Sequence, residues 1–128
     1  MDTQTLKNHA LIAQKNAHAP YSNFKVGAAI LGQDGQIYSG CNVENVAYPL
    51  GQCAEATAIG TMVSNSCTKI DKIVIVSPND QLCFPCGGCR QKIAEFADKD
   101  TEIVMIDQTN EQKTVLLSEL LPFAFQME

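Results

Sequence analysis

The sequence predicts an α/β fold in which one mixed sheet carries helices on its faces. Three observations lead there. Ile70 to Val76 is a short, β-branched, nearly all-apolar run, as expected of a central strand covered on both sides. Asp34-Gly35, a strong hairpin-turn pair, separates two strand-like segments. The segments then follow the order α-β-β-α-β-α-β-β-α, and a hairpin continued by βαβ crossovers implies one mixed sheet with helices packed on it.

The bulk properties agree. The chain has 128 residues, 45% of them hydrophobic, which suits a single compact domain over residues 1–128 with its own core. At 18% the charged content is too low for a disordered chain. A net charge of −5 and a pI near 4.9 argue against a partner gripped by its phosphate backbone, such as DNA or RNA. No apolar run approaches the ~18 residues that span a bilayer. The opening Met1-Asp2-Thr3-Gln4 lacks the basic-then-apolar order of a secretory signal, so a cytoplasmic protein is expected. Six cysteines allow a disulfide framework, but a reducing compartment and a sufficient apolar core favour metal ligation or buried thiols.

Taken in order, residues 3–18 read as an amphipathic helix. Leu6, Ala10, Ala13 and Ala17 recur at helical spacing, Asp2 or Thr3 caps the start and Pro20 ends it. His9 and His18, the two histidines, have no neighbour at ligand spacing and read as surface or cap residues. Phe24 to Leu31 forms the first strand, weakened by Gly27, and Ile37 to Val43 returns antiparallel. Asn42-Val43-Glu44-Asn45 then places three polar side chains just past a strand end, where they serve either a ligand or an Asx-type turn. After the loop Tyr48-Pro49-Leu50-Gly51, residues 53–64 are helical, with Ala58, Ile59, Met62 and Val63 as the apolar face. A helix over 86–97, a strand over 102–106 and a short strand over 113–117 follow. Ser118 caps a final turn closed by Pro122. The apolar Phe123-Ala124-Phe125 docks on its own chain or on a neighbouring subunit.

The chemistry is carried by two cysteine segments. Cys86 and Cys89 are three apart at a predicted helix start, so both sulfurs share a face, and the glycines between them permit a sharp bend or a close approach. Cys53 stands at the start of the preceding helix. Helix N-termini favour thiolates. Three thiolates bind Zn2+ and leave the fourth tetrahedral position for water, which zinc acidifies. Their three negative charges outweigh the two on zinc, so compensation is needed, and Arg90 after Cys89 is available for it. Glu55 alone would read as a helix-start acid, but beside three thiols it reads as the proton carrier such a site requires. Other readings use Cys83. With Cys53, Cys86 and Cys89 it completes a closed structural four-cysteine zinc module or an iron–sulfur site, and with Cys86 a redox dithiol. Cys41 and Cys67 read as buried small apolar residues.

Cys53-Ala54-Glu55 followed by Pro85-Cys86-Gly87-Gly88-Cys89 matches the zinc deaminase pattern, with cysteine in place of the first histidine. Together with Tyr21-Ser22-Asn23-Phe24-Lys25-Val26-Gly27-Ala28-Ala29, Gly40-Cys41-Asn42-Val43-Glu44-Asn45 and Glu119-Leu120-Leu121-Pro122, the chain resembles the small, homotetrameric cytidine deaminases from end to end. That resemblance implies a three-layer α/β/α fold with a mixed five-stranded sheet and one Zn2+ per subunit. It also implies hydrolytic deamination of cytidine and 2′-deoxycytidine to uridine and 2′-deoxyuridine, with release of ammonia, in pyrimidine salvage. By the same resemblance Cys53, Cys86 and Cys89 hold zinc, whose hydroxide attacks C4, and Glu55 protonates N3 and then helps the amine leave. Phe24 packs on the base, Asn42 and Glu44 hold the ribose hydroxyls, and the backbone at Ala54 reads the base edge. Tyr48 and Phe125 reach substrate sites across subunit boundaries. Many three-cysteine members carry arginine after the catalytic glutamate. This chain has Ala56 there, so Arg90 is expected to carry more of the charge compensation. A blasticidin-type deaminase is the nearest enzyme alternative. A polynucleotide-editing deaminase fits the acidic balance and the Asn42/Glu44 pair less well.

Overall fold

The computed structural model describes residues 2–127. Its elements are α1 (Thr3–Lys15), β1 (Gly27–Gly32), β2 (Ile37–Cys41), a 3-10 turn (Tyr48–Leu50), α2 (Ala54–Ser64), β3 (Ile70–Val76), α3 (Gly87–Phe96), β4 (Glu102–Ile106), β5 (Gln112–Leu116) and α4 (Leu117–Leu120). The five strands form one sheet in the order β2-β1-β3-β4-β5. Only β3 and β4 run parallel, joined by the crossover through α3; the other pairs are antiparallel. The mixed sheet expected from the sequence is thus present.

Period-two alternation splits the sheet's side chains between two cores. Val74, Val76, Val104, Ile106 and Ala29 face Leu6 and Ala10 of α1. Ile73, Ile75, Ile103, Met105, Ala28 and Ile30 face Ala58, Met62, Ile93 and Leu120 from α2, α3 and α4. One helix therefore covers one face and three cover the other, giving three α/β/α layers. Both strands of the parallel pair are buried on both sides, and each large side chain there contributes about 1.5–3 kcal/mol by leaving water.

The element boundaries that differ from expectation have local causes. Asp2 caps α1, its Oδ1 accepting from the Thr5 amide at 2.9 Å. The helix ends at Lys15 and not at 18, because His18 turns to the end of β2. Its amide donates to the Asn42 carbonyl at 3.0 Å, and its carbonyl accepts from the Glu44 amide at 2.8 Å. β1 starts at Gly27 rather than Phe24. Residues 24–26 bond instead to the Asn42 side chain, which accepts from the Val26 amide at 2.9 Å and donates to the Phe24 carbonyl at 2.8 Å. The same demand ends β2 at Cys41. Gly27 weakens the strand reading because its role is to seat α1: a Cβ there would lie 2.0 Å from the Ala10 carbonyl oxygen. Gly40 seats α2 in the same way, with an added Cβ 2.5 Å from the Ala58 nitrogen. Ser118 lies inside α4 and does not cap it. The Glu119 carboxylate does so, accepting from the Leu116 amide at 2.9 Å.

Candidate metal centre and active site

α2 and α3 lie on the same face of the sheet, and their N-termini converge. Cys53 is the N-cap of α2 and Cys86 the N-cap of α3, while Cys89 lies in the first turn of α3. Neither cap sulfur is spent on its own helix. The cap carbonyls begin the helices instead, accepting from the Thr57 amide at 3.1 Å and the Arg90 amide at 2.9 Å. The thiols are thus held by backbone and left available.

All three sulfurs lie within 4.8 Å of one another, and those of Cys53 and Cys86 are 4.0 Å apart. Tetrahedral zinc with bonds of ~2.3 Å needs sulfurs about 3.8 Å apart, so the donor set fits this ion. Cys89 is buried, whereas Cys53 and Cys86 are exposed. Hydrogen bonds from Cys89 and Cys86, together with the charge of Lys92, pull the Cys53 thiol down to about 6 from its ordinary 9.0. The same sharing with Cys53, added to burial, pushes Cys89 up. Cys83 is not in this cluster. It is half-buried against the larger core, and burial raises its pKa to about 11, which keeps it a thiol at neutral pH.

Glu55, one residue into α2, is 4% exposed. Burial and the adjacent Cys53 charge raise its pKa. A buried carboxyl beside a metal cluster is disposed to hold and release a proton, and this environment favours the proton-carrier reading over a simple helix-start acid. Arg90 does not point its hydrogen bonds at the sulfurs. Its Nε donates to the Pro85 carbonyl at 2.8 Å and its Nη1 to the Leu120 carbonyl at 3.0 Å, which fixes the arm bearing Cys86. The glycines of that arm are not explained within the chain. Added Cβ atoms at Gly87 and Gly88 would meet open space, apart from the Cys86 sulfur at 4.0 Å from the latter.

A second group of expected residues gathers beside the cluster. Val43 and Gln52 exchange two backbone hydrogen bonds of 2.8 Å, which ties the Asn42–Glu44 segment to the residue before Cys53. A cavity of about 290 Å3 lies here, lined by Tyr21, Ser22, Glu44, Asn45, Tyr48 and Gly51. Glu44 accepts from the amides of Tyr21 and Ser22 at 3.0 and 3.1 Å and from the Ser22 hydroxyl. These donors, the hydroxyl foremost, hold its carboxyl below the ordinary value. Asn42 and Glu44 therefore both shape the 21–26 loop, whatever else they bind. Asn23, in that loop, adopts a left-handed φ of 58°, which asparagine tolerates better than most residues.

The remaining expected residues are more scattered. The Tyr48 ring stands 5.8 Å from that of Tyr21, and Tyr48 is 74% exposed. Phe24 is partly exposed, and Ala54 is buried at the first position of α2. The tail docks through its backbone, the Phe125 carbonyl accepting from Gln91 Nε2 of α3 at 3.1 Å, while the Phe125 ring remains exposed. Tyr21 and Ser22 received no individual role from the sequence. The only available signal was their place in a segment that resembles the family.

Two helix N-termini that present three thiols and a buried carboxyl above a mixed sheet define an open-site zinc enzyme. A profile described as the cytidine and deoxycytidylate deaminase zinc-binding region matches residues 1–105. A cytidine deaminase of Sporosarcina psychrophila is 38% identical over 128 residues, all of this chain and 94% of the relative. That of Halalkalibacterium halodurans is 39% identical over 128 residues, covering 97% of the relative. The crystal structure of the cytidine deaminase from Burkholderia pseudomallei superposes with a TM-score of 0.93 at 37% identity, covering 98% of this chain and all of that one. That from Mycobacterium tuberculosis gives 0.85 at 34%, covering 99% of each chain. The chain belongs to the cytidine and deoxycytidylate deaminase zinc-binding family. It is a deaminase, and zinc is its metal.

Proposed function

We propose that the protein deaminates cytidine and 2′-deoxycytidine by hydrolysis, giving uridine or 2′-deoxyuridine and ammonia, as a step of pyrimidine salvage in the cytoplasm. The observation that carries this reading is the buried Glu55 beside three convergent thiols at two helix N-termini. Residues 1–128 act as one deaminase domain. Cys53, Cys86 and Cys89 would hold zinc, which when bound would supply activated water. Glu55 carries a proton to N3 of the pyrimidine and then to the departing amine. Phe24 packs on the base and the Ala54 backbone reads its edge. Asn42 and Glu44 reach the ribose hydroxyls from a loop they also brace.

Arg90 holds the Cys86–Cys89 arm and adds positive charge behind the sulfurs. Tyr48 and Phe125 serve substrate sites across subunit boundaries in a homotetramer. Their exposed rings, with the side chains of Phe123 and Val46 at 96% and 77% exposure, supply apolar surface for such contacts. No helix among the described residues is long and apolar enough to cross a membrane.

The test is to incubate the zinc-loaded protein with cytidine, deoxycytidine, cytosine and blasticidin and to follow each by ultraviolet absorbance. Turnover of the two nucleosides is expected. Turnover of blasticidin alone would replace this reading with the blasticidin-type alternative.

A further inference from the structure

The thiolate cluster is under-compensated by the residues so far given roles. Three thiolates around one divalent ion leave a net negative charge, and the position after Glu55 is the neutral Ala56. Arg90 spends its Nε and Nη1 on carbonyl oxygens. Yet α3 carries a second cation. Lys92 lies three residues after Cys89, on the same side of that helix, and is exposed. It lines a groove between α2 and α3 together with Ala56, Gly60 and Glu95. Ala56 leaves this groove open where a longer side chain would fill it. The two ion pairs among the described residues, Lys69–Asp98 and Lys72–Glu102, use neither Lys92 nor Glu95. The same groove is lined by Gln52, the residue before Cys53, so Lys92 faces the start of α2 as well as belonging to the helix that carries Cys89.

We infer that Lys92 supplies, from across the α2–α3 groove, the positive charge that Ala56 does not, and so strengthens the hold of the three cysteines on zinc. This rests on the zinc site proposed above and adds a residue to it. The role is electrostatic and acts through the cysteines: Lys92 touches neither substrate nor metal. Because the lysine is exposed, its effect is moderate and screened by salt.

The experiment is competition for zinc between the folded protein and a colorimetric chelator at low and at ~1 M ionic strength. It compares the wild type with Lys92→Met, Lys92→Arg and the double variant Lys92→Met/Ala56→Arg. At low salt Lys92→Met should bind zinc about three- to tenfold more weakly, and the gap should close at high salt. Lys92→Arg should match the wild type. The double variant should regain most of the loss, because arginine at 56 reaches the groove from the opposite wall. A structural role would show the same loss at both salt concentrations and no rescue from position 56. Unchanged affinity in Lys92→Met, or a loss that neither arginine restores, overturns the inference and leaves the deaminase reading intact. A wild type that binds no zinc would overturn the zinc site itself.

Discussion

The thiol arms and the 21–26/42–48 loop pair are neighbours built on opposite plans. Each thiol is fixed by the start of a helix, a local feature that needs only its own turn of backbone. The loop pair is held by side chains reaching across 16 to 23 positions of sequence, Asn42 to Phe24 and Val26 and Glu44 to Tyr21 and Ser22. Its aromatic rings face solvent, while Glu55 and Cys89 are buried. On the proposed function the difference separates two tasks. The first region would need a fixed geometry and a controlled electrostatic environment for chemistry. The second would need open surface for a ligand or another copy of the chain to cover.

If that division holds, damage to one region should not register in the observables of the other. The largest effect is expected from Glu55→Gln. Turnover should drop between about a hundredfold and ten-thousandfold with zinc content and melting temperature nearly unchanged; loss of zinc as well would merge proton transfer with metal binding. Stripping zinc with a strong chelator should abolish turnover and lower the melting temperature by about 10 °C or more in calorimetry, since the helix N-termini then lose their common anchor. Asn42→Ala removes an acceptor from the buried Val26 amide. It should cost about 1–3 kcal/mol in denaturant titration and raise KM, with one zinc per chain retained.

Glu44→Gln should act more gently, raising KM and changing the acid limb of stability. The carboxyl of Glu44 is held below its ordinary 4.5. Its stabilising effect is therefore complete above that pH and is lost as the pH falls through the lowered folded value. The difference between wild type and variant should shrink on acidification, and a constant difference would show that the Ser22 and Tyr21 contacts do not depend on charge. The smallest effect belongs to Cys83→Ser, which should leave zinc stoichiometry and turnover nearly intact. Zinc loss on that change would replace the open site with a closed four-cysteine module.

The same contrast explains what could be read from the sequence. β3 and β4 were legible residue for residue because β-branched runs in a doubly covered sheet admit few other structures. The thiol triad was legible because its spacing is local and its placement at helix starts follows from the flanking pattern. The ends of α1, β1 and β2 were not legible. All three are decided by Asn42 and His18, whose partners lie far away in sequence. The function of Gly27 and Gly40 could not be read either, since a close helix approach leaves no periodic trace. Lys92 received no role from the sequence, because its place in one groove with Ala56 depends on how α2 and α3 pack.

The joining of two helix starts through one ion also has a mechanical side. Cys53 and Cys86 are 33 positions apart in sequence yet their sulfurs lie 4.0 Å apart. A metal held by both would be a reversible cross-link, expected to hold after the sheet begins to open. Stretched between its ends, the zinc-loaded chain should yield in two stages. The second stage releases the ~110 Å of contour stored between those cysteines, at the force where zinc–sulfur bonds rupture. Without metal the same length should be released with the fold itself. The ion is thus a tether that limits how far the chain can open, as well as a reagent.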